Sequence, residues 1–190
     1  MVYEPREDSE LLRDCVGRFA CGRVLDMGAG SGIQGIAAAK KKEVTGVTCA
    51  DVDGAALAVA RKNAEKEGVA SKISFIVSDL FGNIDDIFDC IAFNPPYLPG
   101  RTGKEGAAAL DGGSDGREVT ERFLRAFLPH LADGGILLLL QSTLSDSGET
   151  EKYLAAHGFT AEKVASRKFF FEEIFVLKAV RRVGAPTQVF

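Results

Sequence analysis

The fold is decided by residues 23–32, RVLDMGAGSG, where a short apolar strand candidate runs into a glycine-rich turn. The strand candidate is Arg23–Met27, and a helical pattern follows over Ile33–Lys42. A second strand candidate, Val44–Asp51, comes directly after that helix. This order of strand, helix and strand is typical of a βαβ unit, in which the two strands lie parallel in one sheet.

The same alternation continues through most of the chain. Further strand candidates are Ile73–Ser78, Phe88–Phe93, Gly135–Gln141, Phe159–Arg167 and Phe170–Arg181, and further helix candidates are Gly54–Glu67, Glu118–Leu131 and Asp146–His157. The last two strands have no helix between them, so we expect them to pair antiparallel. The pattern predicts an α/β fold with a seven-stranded, mostly parallel sheet, one antiparallel strand and helices on both faces.

Length and composition favour one folded domain. The chain has 190 residues, of which 46% are hydrophobic and 26% charged, and this balance excludes an intrinsically disordered protein. We predict a single domain over residues 1–182, with a tail at 183–190. No apolar run approaches the roughly 20 residues of a membrane span, and the polar start is no signal peptide. The four cysteines show no metal-ligand spacing, which favours the reducing cytoplasm.

Acidic residues stand at the ends of three successive strands. Asp26 precedes the glycines Gly28 and Gly30, Asp51 ends the second strand, and Asp79 follows the third. Ligands of open α/β sheets bind beyond the carboxyl ends of the strands, where these side chains meet. Asp51 is suited to accept both hydroxyls of a ribose, whereas its neighbour Asp53 is a helix cap. The glycine spacing does not fit the dinucleotide pattern, because its third position is occupied by Ile33.

The fourth strand ends in the most specific motif of the chain, Asn94-Pro95-Pro96-Tyr97. Two consecutive prolines hold an extended backbone and leave carbonyl groups without local partners. The Asn94 side-chain oxygen and the Pro95 carbonyl can then accept both hydrogens of one planar amino group. Tyr97 offers a flat face on which a planar substrate can stack. We therefore predict Asn94, Pro95 and Tyr97 as the catalytic set.

Together these motifs resemble the S-adenosylmethionine-dependent methyltransferases, and among them the HemK-like protein glutamine methyltransferases of the short eukaryotic and archaeal branch. The resemblance covers nearly the whole chain, including residues 3–9, YEPREDS, and 112–119, GGSDGREV. It implies a Rossmann-like class I methyltransferase fold, S-adenosylmethionine as cofactor, and residues 1–20 as a segment that covers the cofactor. The region 99–116 would be a loop near the substrate cleft.

The resemblance also implies roles for matched positions. Asp26, Gly28 and Gly30 would hold the methionine part of the cofactor, with Ser9 near its amino-acid end. Asp51 would hold the ribose, and Asp79 with Leu80 the adenine, while Asn94 would contact both cofactor and substrate. These cofactor-binding positions are Ser9, Asp26, Gly28, Gly30, Asp51, Asp79, Leu80 and Asn94. No metal site is expected.

The implied acceptor is a protein, most simply the Gly-Gly-Gln loop of a translation termination factor. A small zinc-binding activator subunit would add to the edge of the third strand, where Ile73, Phe75 and Val77 are its candidate contacts; these residues are equally suited to an ordinary core.

Three alternatives remain at this point. The planar-amine motif also fits adenine N6 or guanine N2 of a nucleic acid, although the net charge of −4 disfavours a phosphate-binding surface. Protein lysine methylation fits less well, because a charged ammonium suits a paired-acceptor site poorly. A non-catalytic binding module would not need the intact acids and the Asn-Pro-Pro-Tyr motif.

Overall fold

The computed structural model describes residues 7–97 and 117–181. The helices are α1 (Glu7–Phe19), α2 (Ile33–Ala39), α3 (Gly54–Lys66), α4 (Glu118–Ala126) and α5 (Ser147–Ala156). The strands are β1 (Gly22–Met27), β2 (Val44–Asp51), β3 (Ile73–Val77), β4 (Phe88–Phe93), β5 (Leu131–Ser142), β6 (Phe159–Lys168) and β7 (Glu173–Arg181). The expected loop at 99–116 and the expected tail at 183–190 lie outside the described residues.

One seven-stranded sheet holds the chain together, in the order β3-β2-β1-β4-β5-β7-β6. The first five strands pair parallel to their neighbours, and β7 alone runs antiparallel, both to β5 and to β6. This arrangement confirms the predicted α/β fold. The crossover from β3 back to β4, beside β1, makes a topological switch point, where open α/β sheets bind ligands.

The sheet is buried on both faces. Successive side chains of a strand point to opposite faces, and all four leucines of Leu137–Leu140 are buried. One apolar layer includes Leu12 and Val16 of α1 and Leu57 of α3. The layer on the opposite face is rich in aromatic rings, including Phe123 of α4 and Phe127 directly after it. Packing from both sides fixes the strand ends that carry the polar motifs.

Element boundaries differ from the predictions near Pro129. The predicted helix 118–131 ends at Ala126, a short 3-10 turn covers Leu128–His130, and β5 begins at Leu131 rather than at Gly135. Proline has no backbone N–H and clashes with the preceding turn, so the helix stops before it. Leu131 then pairs with Phe88, and the register shifts before Ile136 pairs with Cys90. Gly134, with a φ of 73°, accommodates this irregularity.

Within residues 7–97 and 117–181, no helix is long and apolar enough to cross a bilayer.

Candidate active site

A cavity of about 390 Å³ opens at the carboxyl ends of β1, β2 and β4. Its wall joins the glycine turn after β1, the acids after β2 and β3, the motif after β4, and the start of α1. Nine of the ten predicted site residues line it: Ser9, Gly28, Gly30, Asp51, Asp79, Leu80, Asn94, Pro95 and Tyr97. The structure therefore brings the predicted nucleoside-binding acids and the predicted planar-amine motif into one pocket.

The glycine turn after β1 fixes the orientation of Asp51. Gly30 N donates to Asp51 Oδ2 at 2.8 Å, and Asp53 N donates to Asp51 Oδ1 at 2.9 Å. Each carboxylate oxygen has two lone pairs, so both oxygens can accept one further donor from a ligand. Gly28, with a φ of 62°, lets the chain turn beneath the cavity, and a Cβ there would lie 3.3 Å from the Phe93 ring. A diol such as that of a ribose fits this pair of oxygens.

Asp26 is the predicted site residue that does not line the cavity. Only 2% of it is exposed, and its Oδ2 accepts a hydrogen bond from Gly35 N of α2 at 2.8 Å. Burial, with a smaller contribution from the negative charge of Asp51, raises the pKa of Asp26 to about 7, against the lowering effect of the Gly35 bond. Asp26 thus ties β1 to α2 behind the cavity wall, and its direct contact with a ligand stays a prediction.

Asp79 and Leu80 form the rim where adenine binding was predicted. Asp79 Oδ2 accepts a hydrogen bond from Arg122 of α4 at 2.6 Å, and both side chains are at least half exposed. Leu80 has a φ of 48°, and its carbonyl accepts a bond from the buried Ser78 hydroxyl at 2.6 Å. The turn is therefore held in place by its own polar side chains. Asp79 therefore already has a partner within the protein, Arg122, and the sequence did not indicate this ion pair.

The Asn94 amide is held from one side only. Its Nδ2 donates to Asp8 Oδ2 of α1 at 3.1 Å, and the Tyr97 hydroxyl lies 3.5 Å from the same oxygen. Its Oδ1 is buried and has no hydrogen-bond partner among the described residues. An unpaired buried acceptor costs about 1–3 kcal/mol, so an oxygen left in this state indicates a missing donor. The cavity that Asn94 lines is where such a donor can enter.

Sequence reasoning missed Asp8, Gln34 and Arg122, all of which line the cavity. Asp8 is 5% exposed, although it belongs to the acidic first turn of α1, where acids normally face solvent. Gln34 Nε2 lies 3.5 Å from Ser9 O and so links α2 to α1. The signal for Asp8 was present in the quoted stretch 3–9, but neither spacing nor charge distinguished it from Glu7. No cluster of three or more metal-ligating side chains occurs among the described residues.

The arrangement combines a polar pocket for a nucleoside with an acceptor aimed at an N–H donor. Histidines and reactive cysteines contribute nothing to the cavity wall described above. The arrangement can act on a ligand by orienting it and by placing fixed dipoles around it.

Comparison with known proteins finds methyltransferases. The methyltransferase small domain family matches residues 7–170. A Methanocaldococcus jannaschii protein, provisionally named protein N5-glutamine methyltransferase, is 41% identical over 186 residues, which cover 95% of this chain and 92% of that protein. The release factor glutamine methyltransferase of Gloeobacter violaceus is 33% identical over 82% of this chain, which spans 58% of the longer relative.

Among solved structures, a chain of the E. cuniculi Mtq2–Trm112 complex superposes with a TM-score of 0.73 at 27% identity. The match covers 95% of this chain and 98% of that one. That complex is described as responsible for methylation of the translation termination factor eRF1.

Proposed function

Because the chain belongs to the methyltransferase small domain family, we propose that it transfers a methyl group from S-adenosylmethionine to the side-chain amide nitrogen of a glutamine in a protein. The acceptor that the relatives favour is a translation termination factor, methylated in its Gly-Gly-Gln loop. Two relatives carry glutamine methylation in their names, and the E. cuniculi complex acts on such a factor.

The observation that carries this proposal is the unpaired Asn94 Oδ1. Asp8, as a carboxylate, can only accept hydrogen bonds, so it fixes the Nδ2 side of the Asn94 amide toward α1. The oxygen is thereby directed to the other side. A primary amide supplies two N–H donors on one planar nitrogen, which is the complement of Asn94 Oδ1 together with the Pro95 carbonyl.

The cofactor residues fit a nucleoside with an attached amino acid. Asp51 offers two oxygens for the ribose hydroxyls, and Leu80 offers an apolar surface for the adenine ring. Ser9 lines the cavity at the start of α1, where it would lie near the amino-acid end of the cofactor. S-adenosylmethionine would supply an electrophilic methyl group on its sulfonium.

The difficulty of the reaction lies in the acceptor, because the lone pair of an amide nitrogen is delocalised into its carbonyl. Asn94 Oδ1 and the Pro95 carbonyl accept the two N–H groups and aim the nitrogen at the methyl group. They also favour the pyramidal, more electron-rich nitrogen of the transition state. The methyl group would pass from the sulfonium to this nitrogen, the cofactor would leave as a neutral thioether, and the methylated nitrogen would lose one proton to solvent. Tyr97 packs against the planar amide.

We further propose a small activator subunit at the free edge of β3, by analogy with the Mtq2–Trm112 complex. Among the described residues β3 pairs only with β2, so the backbone groups on its other side are candidates for pairing with another chain. Val77 is 54% exposed, and Phe75 is half-buried beneath the Arg61 guanidinium. The proposed location is the cytoplasm, where the buried thiols of this chain stay reduced.

The test is methyl transfer from labelled S-adenosylmethionine to the host's own termination factor, with and without the activator. The matched acceptor control carries Ala in place of the glutamine of the Gly-Gly-Gln loop, and it should take up no label. Asn94→Ala should reduce methyl transfer by ~10³-fold, since oriented donors and acceptors of this kind contribute roughly 3–4 kcal/mol to catalysis. Its S-adenosylmethionine affinity, measured by calorimetry, should fall far less. Equal label in the glutamine-free factor, or near-normal turnover by Asn94→Ala, would contradict the proposal.

A further inference from the structure

An exposed aromatic turn joins β6 to β7 at residues 169–172. Phe170 and Phe171 are 91% and 85% exposed, and their rings meet edge to face at 4.5 Å between centroids. Phe169 is 40% exposed at the base of the turn, and Leu144 of the neighbouring β5–α5 loop is 46% exposed. Monomeric proteins seldom expose adjacent large apolar side chains, and such patches mark interaction sites.

The aromatic turn is fixed by hydrogen bonds to its surroundings. Phe169 N donates to Glu172 O at 2.7 Å and closes the turn. The Ser142 hydroxyl donates to Glu172 Oε1 at 2.6 Å. Glu173 N donates to the Thr143 hydroxyl at 3.0 Å, while Thr143 N donates to Glu173 O at 3.0 Å. The two outer rings are thus presented on a rigid base that also carries Leu144.

The aromatic turn rises from the same end of the sheet as the candidate active site. Phe93 pairs with Leu139, and Leu139 pairs with Leu177, so these three residues lie in one row across β4, β5 and β7. Asn94 is one residue beyond that row and Phe171 is six residues beyond it. At ~3.3 Å per residue and ~4.8 Å between strands, the rings lie roughly 20 Å from Asn94.

A second connection runs through α1. Arg167, near the end of β6, lies 3.8 Å from Glu7 and 3.9 Å from Glu10. Glu7 and Glu10 flank Asp8 and Ser9, which line the cavity. The base of the aromatic turn therefore adjoins the helix that forms one wall of the active site.

From this juxtaposition we infer that the aromatic turn is a docking surface for the protein acceptor. The rings of Phe170 and Phe171 would contact an apolar surface of the acceptor that lies roughly 20 Å from the methylated glutamine. The inference rests on the proposed function. A glutamine side chain extends only ~5 Å from its Cα, so the acceptor's backbone must come to the mouth of the cavity. A standard interface of about 800 Å² per partner is roughly 30 Å across, so one such interface is wide enough to include both the mouth of the cavity and the rings.

The charges around the turn favour a protein over an anionic surface. Glu172 and Glu173 follow the two rings, and Arg167 and Lys168 precede the turn, so acidic and basic residues balance around it. Glu173 also pairs with Lys163 at 3.3 Å, and Arg167 faces the acids of α1. The turn therefore presents no excess of positive charge that would attract an anionic lipid or nucleic-acid surface. Aromatic anchors surrounded by polar groups are instead the usual centre of a protein interface.

The experiment compares two acceptors of the wild-type enzyme: the intact termination factor and a short peptide that contains its Gly-Gly-Gln loop. Phe170→Ser with Phe171→Ser should lower kcat/KM for the intact factor by roughly 10–100-fold, the usual effect of removing interface anchors. Because the peptide does not reach the turn, its kcat/KM should change by less than about twofold. Phe170→Leu with Phe171→Leu keeps apolar area and should retain most activity on the factor.

The matched control is Ile87→Ser. Ile87 is 53% exposed but lies directly before β4, at the opposite end of the sheet, so activity on both acceptors should stay at the wild-type level. Thermal melting with and without S-adenosylmethionine checks that each variant folds and binds the cofactor.

Four results would overturn the docking surface. The first is an unchanged kcat/KM of the double serine variant on the intact factor, and the second is an equal loss on factor and peptide. The third is flotation of the wild type, but not of the variant, with phosphatidylserine-containing vesicles. The fourth is a wild-type dimer in sedimentation that the variant loses. A wild type that methylates neither acceptor would instead contradict the proposed function, so the two failures are distinguishable.

Discussion

The substitution Asp26→Asn measures how much the buried carboxylate behind the cavity wall lowers the free energy of unfolding. The pKa of Asp26 is raised, chiefly by burial, from an ordinary 3.8 to about 7. Folding favours the protonated form of Asp26, so its contribution to stability is fully present below the unfolded pKa of 3.8. That contribution is lost as pH rises through the folded pKa of about 7. At about 1.4 kcal/mol per pH unit, the whole interval corresponds to ~4 kcal/mol, of which ~2–3 kcal/mol falls between pH 5 and 8.5.

The assay is urea unfolding of wild type and Asp26→Asn at several pH values across that range. Asparagine has no charge to bury, and its oxygen can still accept the bond from Gly35 N. We expect the variant to gain stability relative to the wild type as pH increases, by ~2–3 kcal/mol in total. All other titrating groups are common to both proteins and cancel in the difference.

A pH-independent difference between the two proteins would refute this reasoning, because it would mean that the carboxylate of Asp26 is no harder to ionise than one in solvent. Cofactor titrations on the same samples separate two roles. If Asp26 only ties Gly35 to β1, the two proteins should bind S-adenosylmethionine with affinities within about threefold, a difference of ~0.7 kcal/mol. If it contacts the cofactor's ammonium group directly, wild-type affinity should rise with pH through about 7 and be lost in the variant.

Two further perturbations test the positioning of Asn94 and the packing beneath the cavity. Asp8→Ala removes the acceptor of the Asn94 Nδ2 hydrogen bond, so kcat should fall by roughly 10–100-fold with little change in cofactor affinity. Asp8→Asn should lose less activity, because its side-chain oxygen can still accept that N–H. An unchanged kcat for Asp8→Ala would show that Asn94 needs no orientation. Gly35→Ala would place a methyl group against the Cys49 thiol and should lower the free energy of unfolding by ~1–3 kcal/mol in urea melts. Gly17→Ala is the matched control, because a Cβ there meets open space, and it should raise the free energy of unfolding by ~0.5–1 kcal/mol. Equal effects of the two substitutions would argue against the close packing at Gly35.

The sheet was predictable because its signals are local. Alternating apolar strands and helical stripes specify βαβ units, and the carboxyl ends of parallel strands must gather at one edge. The sequence alone therefore predicts Asp51 and Asn94 in one pocket, and both line it. Asp53 was likewise predicted as a helix cap, and its side chain accepts a bond from Ala55 N at 2.8 Å.

What escaped prediction depends on packing between elements distant in sequence. Asp8 and Asn94 are 86 residues apart, and their hydrogen bond exists only because α1 packs over the end of β4. The burial of Asp26 also escaped prediction, because α2 covers it and directs Gly35 N at its carboxylate. Arg122 reaches Asp79 from α4, 43 residues further along the chain. Periodicity and spacing contain no information about such contacts.

Asp8 explains why, in the proposed reaction, Asn94 would present its side-chain oxygen rather than its NH2 group to the substrate. A free asparagine amide can turn either edge toward a substrate, and the NH2 edge would repel the amino group of the acceptor. Of the two ends of the Asn94 amide, only Nδ2 can donate to the Asp8 carboxylate, so rotation of the amide would set two oxygens against each other at a buried position. The proposed selectivity of the pocket for a neutral N–H donor would thus depend on the orientation that Asp8 imposes on Asn94. α1 also meets Arg167 at the base of the aromatic turn. The same helix therefore contacts both the Asn94 amide, which it orients, and the surface on which we propose that the acceptor protein docks.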